Sequence, residues 1–156
     1  MQIIIVGCGK VGRALAAQLS GEDSNVTVVD TNGDVVKTVA NYYDVMGVAG
    51  NGASYSVLAE ADIEHTDVLI AVTHNDEVNL LCCVVARKAA NCHTIARVRN
   101  PVYSEERAFL RKELGLSMII NPEYAAAQEI ARLLRFPSAI EIVSFSRGRF
   151  EVLRVR

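Results

Sequence analysis

The stretch IIIVGCGKVGRAL, residues 3–15, passes from an apolar run into three glycines with the spacing GxGxxG. The apolar run at Gln2–Val6 predicts a buried strand, and the helical spacing of Val11, Leu15 and Leu19 predicts a helix directly after it. A strand that turns sharply into a helix leaves backbone N–H groups and the positive end of the helix dipole facing open space. The chain is therefore expected to begin with a strand–loop–helix unit that suits an anionic ligand.

Each glycine of this loop has a different predicted use. Gly7 would make the tight turn, Gly9 would let the backbone approach the phosphates of a dinucleotide, and Gly12 would let the helix pack close to the strand. A glycine-rich turn without any ligand is the alternative, because the motif alone is weak. The other loop residues expected at the phosphates are Cys8, Lys10 and Val11.

An acidic residue follows where a dinucleotide site requires one. Asn25–Asp30, NVTVVD, predicts a second strand that ends in Asp30, and the separation from Gly12 is close to the ~20 residues typical of such sites. The carboxylate would accept hydrogen bonds from ribose hydroxyls, with Thr31 beside it. The alternative is a helix cap or turn residue, since DTNGD begins here. A carboxylate would repel a 2′-phosphate, which favours NAD, ATP, ADP or AMP over NADP.

Strands and helices are predicted to alternate along most of the chain. Further strands are expected at 45–50, 67–73, 93–99 and 117–121, and helices at 33–43, from about 54, at 77–90, at 104–115 and at 122–136. The helix at 104–115 is predicted to start at Ser104 as N-cap, with two glutamates in its first turn. Strands that are apolar on both faces indicate a parallel sheet covered by helices on both sides. The predicted fold class is α/β, a doubly wound, Rossmann-like sheet.

The last part of the chain departs from this alternation. Residues 1–121 are expected to form the nucleotide-binding domain, and 122–156 a crossover helix ended by Pro137 and a hairpin of strands 139–145 and 150–155. Because the sequence stops in an apolar strand at Arg156, we expect the chain to be one domain of a longer protein, linked through 122–156 to a C-terminal domain.

The loops after the third and fourth strands supply further candidate ligands, because such sheets bind ligands at the carboxyl ends of their strands. Gly50 would permit close approach of a base, and Asn51 could hydrogen-bond to it; an ordinary turn is the alternative. Thr73 and His74 could contact phosphate or ribose, or else cap the helix that follows.

Two arginines follow in the fifth strand. Arg97 and Arg99 stand two apart near the end of this strand, and at most one of them is expected to reach the ligand.

Composition excludes several classes of function. The net charge of −2 and the absence of a basic cluster argue against nucleic-acid binding, and no apolar run approaches the ~20 residues of a membrane span. The four cysteines form no CxxC pair, which fits a reducing, cytoplasmic compartment. No two histidines stand at metal-ligand spacing. Residues 122–156 contain no His, Cys or Lys to serve a reaction, so nucleotide binding without turnover is favoured.

Several segments resemble the RCK domains, which regulate potassium conductance, and especially the N-terminal nucleotide-binding domains of the TrkA type. They are MQIIIVGCGKVGRALAAQL, VTVVDTN, VAGNGAS, DVLIAVTHNDEVNLLCCVVARK and IARVRNPVY. The AVTHNDEVN and IARVRNP segments, together with the closing helix and hairpin, are more telling than the glycine motif.

The resemblance implies a regulatory subunit of a potassium uptake system, with no catalytic residue and no metal. Such a subunit assembles as dimers and rings beneath a Trk-type membrane transporter at the inner face of the plasma membrane, without inserting into the bilayer. NAD(H), or ATP or ADP at the same site, would bias the ring between conformations. By motif match the phosphates would meet the loop 7–11 and Arg97, the ribose would meet Asp30, and Thr73 and His74 would also touch the ligand. A fragment of an NAD(H)-dependent oxidoreductase and a redox-sensing regulator remain the alternatives.

Overall fold

The computed structural model describes residues 1–21, 24–135, 139–145 and 150–155. They form two compact units, Met1–Ile120 and Asn121–Arg156. The elements of the first are β1 Gln2–Val6, α1 Lys10–Leu19, β2 Asn25–Asp30, α2 Gly33–Tyr43, β3 Met46–Ala49, α3 Tyr55–Glu60, β4 Val68–Ala71, α4 Asp76–Ala89, β5 His93–Arg97, α5 Pro101–Glu105, α6 Arg107–Glu113 and β6 Met118–Ile120. The second contains α7 Pro122–Arg135, β7 Ala139–Phe145 and β8 Phe150–Val155.

The first unit is built on a six-stranded parallel sheet in the order β3-β2-β1-β4-β5-β6. The predicted doubly wound α/β fold is confirmed. The strand order reverses between β1 and β4, whose register pairs run from Ile3↔Val68 to Val6↔Ala71. In open α/β sheets ligands bind at the carboxyl ends of the strands, at this reversal.

Both faces of the central strands are buried, which explains their unbroken apolar runs. Along β1, Ile4 and Val6 belong to the core beneath α3 and α4, and Ile3 and Ile5 to the core beneath α1 and α2. Successive side chains of a strand point to opposite faces. A strand covered on both sides must therefore be apolar at every position, and each of these four residues is at most 2% exposed.

One predicted helix start is wrong. The helix expected to begin at Ser104 starts at Pro101, where the Asn100 side chain accepts a hydrogen bond from the Val102 N–H at 3.1 Å. Proline suits the first helical position, since its fixed φ is preorganised there and its missing N–H needs no partner. Ser104 lies inside α5, and the predicted single helix is divided into α5 and α6 at Glu106.

The second unit contains α7 and an antiparallel pair, β7 with β8. Both strands have the predicted bounds. Pro137 and the turn expected at 146–149 lie outside the described residues. Among the residues that the structure describes, no helix is long and apolar enough to cross a membrane.

Candidate nucleotide-binding site

A cleft of about 540 Å³ lies at the carboxyl ends of the strands, inside the first unit. Small-molecule sites typically have volumes of about 300–1,000 Å³. All the site residues predicted from the sequence line this cleft except Cys8 and Gly12. Those that line it are Gly7, Gly9, Lys10, Val11, Asp30, Thr31, Gly50, Asn51, Thr73, His74 and Arg97.

Two of the three loop glycines are required by the protein itself. Gly7 has φ +104°, and a Cβ there would lie 2.8 Å from the backbone nitrogen of Thr73. A Cβ on Gly12 would lie 1.8 Å from the carbonyl oxygen of Gly7, a backbone atom rather than the end of a flexible side chain. Any side chain at either position would displace the loop from the sheet.

Gly9 has no such requirement. Its φ of −72° and ψ of −166° are accessible to any residue, and a Cβ built on it meets nothing within 4 Å. Gly9 is also the N-cap of α1, with no side-chain cap and no acidic residue in the first turn. The space that a side chain would fill therefore lies at the start of a helix whose positive end is uncompensated, and an anion fits there.

The Asp30 carboxylate ties the second strand to the glycine loop. Oδ2 accepts a hydrogen bond from the Cys8 N–H at 2.7 Å, and Oδ1 accepts one from the Asn32 N–H at 3.0 Å. A carboxylate has about four acceptor positions, so these two bonds leave capacity for hydroxyl donors. Asp30 lines the cleft and can accept from a ribose while it holds the loop.

Cys8 faces the core, where it is 2% exposed. Burial, followed by the charge of Asp30, raises the pKa of this thiol to about 11, and Arg13 opposes the shift. The Arg13 Nε donates a hydrogen bond to the Cys8 carbonyl at 2.9 Å. Cys8 therefore contributes to the site through its backbone, with a thiol that stays neutral near pH 7.

The far wall of the cleft is held by a residue that sequence reasoning missed. Asn79 is fully buried on α4, and its Oδ1 accepts hydrogen bonds from the Thr73 N–H at 2.8 Å and the Thr73 hydroxyl at 2.7 Å. Its Nδ2 donates to the carbonyls of Thr73 and Arg97 at 3.2 and 2.9 Å. The available signal was one amide within an otherwise apolar helix segment.

The third strand's loop has a packing role as well as a place in the cleft. A Cβ on Gly50 would lie 2.6 Å from a methyl of Val57, and one on Gly52 would lie 2.3 Å from a methyl of Val6. The Asn51 Oδ1 accepts a hydrogen bond from the Ala53 N–H at 3.0 Å, which forms a local turn. Protein packing is thus sufficient to account for both glycines.

The two arginines have separate surroundings. Arg97 lines the cleft, and its Nη1 lies 3.4 Å from the Thr73 carbonyl. Arg99 lies beyond the end of β5, with its Nε 3.5 Å from Asp76 Oδ1 and its Nη2 donating to the His74 carbonyl. Among the described residues that line the cleft, the formally charged side chains are those of Lys10, Asp30 and Arg97. Two cations and one carboxylate suit a ligand that carries both phosphates and hydroxyls.

This fold and its cleft define a Rossmann-like α/β domain with a ligand site at the strand reversal. The family model described as the TrkA-N domain matches residues 3–122, and the chain belongs to that family. The resemblance read from the sequence is confirmed.

Two curated relatives match this chain over its whole length. It is 38% identical to the Trk system potassium uptake protein TrkA homolog of Archaeoglobus fulgidus, over 100% of this chain and 35% of that protein. It is 36% identical to the Trk system potassium uptake protein TrkA of Vibrio alginolyticus, over 100% of this chain and 35% of that protein. The chain thus spans about a third of the length of these relatives.

Solved structures share the fold. The TrkA-N domain of the inner membrane protein ybaL from Escherichia coli has a TM-score of 0.75 and 25% identity, covering 85% of this chain and 96% of that one. The GsuK channel bound to NAD has a TM-score of 0.65 and 24% identity, covering 76% of this chain and 21% of that one. The second likeness concerns the fold alone.

Proposed function

We propose that the cleft binds NAD(H), or ATP or ADP at the same position, with phosphates against the start of α1. The observation that carries this proposal is Gly9, whose missing side chain neither the backbone conformation nor any neighbouring atom requires. A phosphate beside this glycine would use both the open space and the uncompensated helix end.

The cleft residues have distinct proposed roles. The loop from Gly7 to Val11, with Lys10, contacts phosphate oxygens, and Asp30 accepts from ribose hydroxyls. Arg97 supplies a second cation to the phosphates. Auxiliary contacts to the ligand come from Thr31, Gly50, Asn51, Thr73 and His74. Cys8 and Gly12 act indirectly, through the backbone of the loop.

We further propose that the domain regulates potassium uptake rather than catalysing a reaction. Membership of the TrkA-N family and the names of the relatives support this role. In the proposed mechanism the domain associates with copies of itself as dimers and rings at the cytoplasmic face of the plasma membrane. Nucleotide binding biases the ring, and the ring acts on a Trk-type transporter. A ligand shifts such an equilibrium only by the difference in its affinity for the two states.

The arrangement of the chain within a longer protein belongs to the same proposal. Residues 122–156 would link the nucleotide-binding domain to a C-terminal domain. The length of the relatives, of which this chain spans about a third, supports that arrangement.

Calorimetric titration of NADH, ADP, ATP and NADPH tests the nucleotide site. We expect NADH and the adenine nucleotides to bind and NADPH to bind at least about tenfold more weakly, since Asp30 repels the 2′-phosphate. Asp30→Asn should weaken NADH binding about tenfold, because hydrogen bonds to charged groups are stronger than those to neutral groups. It should also reduce the ratio of the affinity for NADH to the affinity for NADPH. Absence of binding to folded wild-type protein would contradict the proposal, as would an unchanged ratio in Asp30→Asn.

Transport measurements test the regulatory role. Potassium uptake into vesicles that contain a Trk-type transporter should change when the full-length protein and the nucleotide that binds are both added. The change should be lost with Asp30→Ala. NADH absorbance should stay constant throughout, since no turnover is proposed. Steady NADH oxidation would favour the oxidoreductase alternative.

A further inference from the structure

Asn79 is an amide placed where an apolar side chain would be expected. It lies in α4 beside the buried Leu80, Cys82 and Cys83, and it is fully buried itself. An amide in such a place is costly unless its hydrogen bonds are made. Both of its acceptor positions and both of its N–H donors are used, all toward Thr73 and Arg97.

These bonds lie where the sheet stops holding β4 and β5 together. The last register pair of the two strands is Ala71↔Ala96. Arg97 and Thr73 come just after it, so the strand-to-strand pairing no longer fixes their separation. The Asn79 side chain is hydrogen-bonded to the backbones of both residues and so links the two chain segments where the pairing of β4 with β5 has ended.

Both residues that Asn79 holds line the cleft, and Asn79 does not. We propose that Asn79 is a positioning residue of the nucleotide site, which acts by fixing Thr73 and Arg97 before the ligand binds. The inference rests on the proposed function. Preorganised contacts raise affinity because the ordering cost is met in folding rather than in binding.

Asp76 provides a matched control on the same helix. It is also polar and only 6% exposed, and its Oδ2 accepts from the N–H groups of Arg99 and Asn100, each at 2.8 Å. Asp76 therefore ties α4 to the chain after β5, as Asn79 ties it to the end of β5. Neither of the residues that Asp76 holds lines the cleft.

The test measures NADH affinity and unfolding free energy in Asn79→Ala, Arg97→Ala, the double variant and Asp76→Asn. We expect Asn79→Ala to weaken NADH binding about tenfold, and to weaken it much less in the Arg97→Ala background, because residues that act through each other are not additive. Asp76→Asn should lower stability and leave affinity within about twofold, since neither Arg99 nor Asn100, whose N–H groups it accepts from, lines the cleft. A purely structural role for Asn79 would give fully additive losses in affinity, or none, and would overturn the proposal.

Two further measurements cover the case in which Asn79→Ala does not fold. Asn79→Asp keeps the oxygen acceptors for Thr73 and removes the N–H donors to the Thr73 and Arg97 carbonyls, so it should also bind NADH more weakly. In wild-type protein without ligand, hydrogen exchange of the Asn79 side-chain amide should already be slow and should change little on NADH binding; rapid exchange in the free protein would contradict the proposal. Failure of wild type to bind NADH would instead refute the proposed function itself.

Discussion

Two helices start at the same edge of the sheet and differ in how their positive ends are compensated. At α4, the Asn75 side chain accepts a hydrogen bond from the Val78 N–H at 2.7 Å, and Asp76 and Glu77 occupy the first turn. At α1, the cap is Gly9, with no side-chain bond and no acidic residue. The protein thus compensates the start of α4 with its own groups and has no such group at the start of α1, where we propose that a ligand phosphate binds.

The difference teaches that a helix N-terminus by itself predicts little. Both helices lie beside the strand reversal, and both begin next to the cleft. What distinguishes α1 is its first turn and the loop that precedes it, where Gly7 and Gly12 allow close backbone contact and Gly9 leaves open space. The acidic partner of this loop, Asp30, is hydrogen-bonded to its Cys8 N–H rather than to the helix end.

The largest expected effect comes from Gly12→Ala. The added Cβ would lie 1.8 Å from the Gly7 carbonyl oxygen, so α1 would have to separate from the loop. We expect a loss of about 3 kcal/mol or more in unfolding free energy, at the upper end for overpacking. Urea denaturation followed by circular dichroism measures it. Stability near that of wild type would show that the close approach at α1 is not required.

A smaller effect is expected at a helix that is capped by its own side chain. The Asn32 Oδ1 accepts hydrogen bonds from the N–H groups of Asp34 and Val35 at the start of α2, outside the cleft. Asn32→Ala should lower the unfolding free energy by about 1 kcal/mol, as for other lost caps. NADH affinity should stay within about twofold of wild type, since Asn32 does not line the cleft and the substitution keeps the backbone N–H that donates to Asp30. A large loss of affinity would mean that compensated helix ends also contribute to the site.

The smallest effect concerns the thiol in the loop before α1. A thiolate at a helix N-terminus is usually stabilised, yet burial raises the pKa of Cys8 to about 11. The Cys8 thiol ionises at a lower pH in the unfolded chain than in the folded protein. Its contribution to the free energy of unfolding is therefore complete below pH 9 and declines as the pH rises toward 11.

Unfolding free energy measured across that range should fall less steeply in Cys8→Ala than in wild type. Iodoacetamide at pH 8 should leave Cys8 unmodified in the native protein, as mass spectrometry would show. Rapid alkylation would indicate a thiolate that already occupies the positive helix end.

The sequence predicted those parts of the fold that depend on local pattern. The bounds of β1, β2 and α2 follow from apolar runs and turn residues, and the loop glycines from their spacing. The predicted start of α5 was wrong because serine is a common N-cap residue, whereas the N-cap of this helix is Asn100, which precedes a proline. Local capping preference could not decide between them.

Non-local contacts account for what the sequence could not predict about the cleft. Asn79 is a single polar residue in an apolar helix, and its partners come from the ends of two different strands. The sequence suggests that Gly50 admits a ligand, yet a methyl of Val57 lies 2.6 Å from where a Cβ on this glycine would be. Only folding brings these residues into contact.

The central claim is tested most directly by comparing Gly9→Ala with Gly21→Ala. Both glycines flank α1, and a Cβ on either meets nothing within 4 Å, so both variants should keep their stability within about 1 kcal/mol. Calorimetry should show that Gly9→Ala weakens NADH and ADP binding by about tenfold or more, because the methyl group occupies the place of a phosphate, whereas Gly21→Ala binds as wild type. Equal affinity in both variants would contradict the assignment of the phosphates to the start of α1.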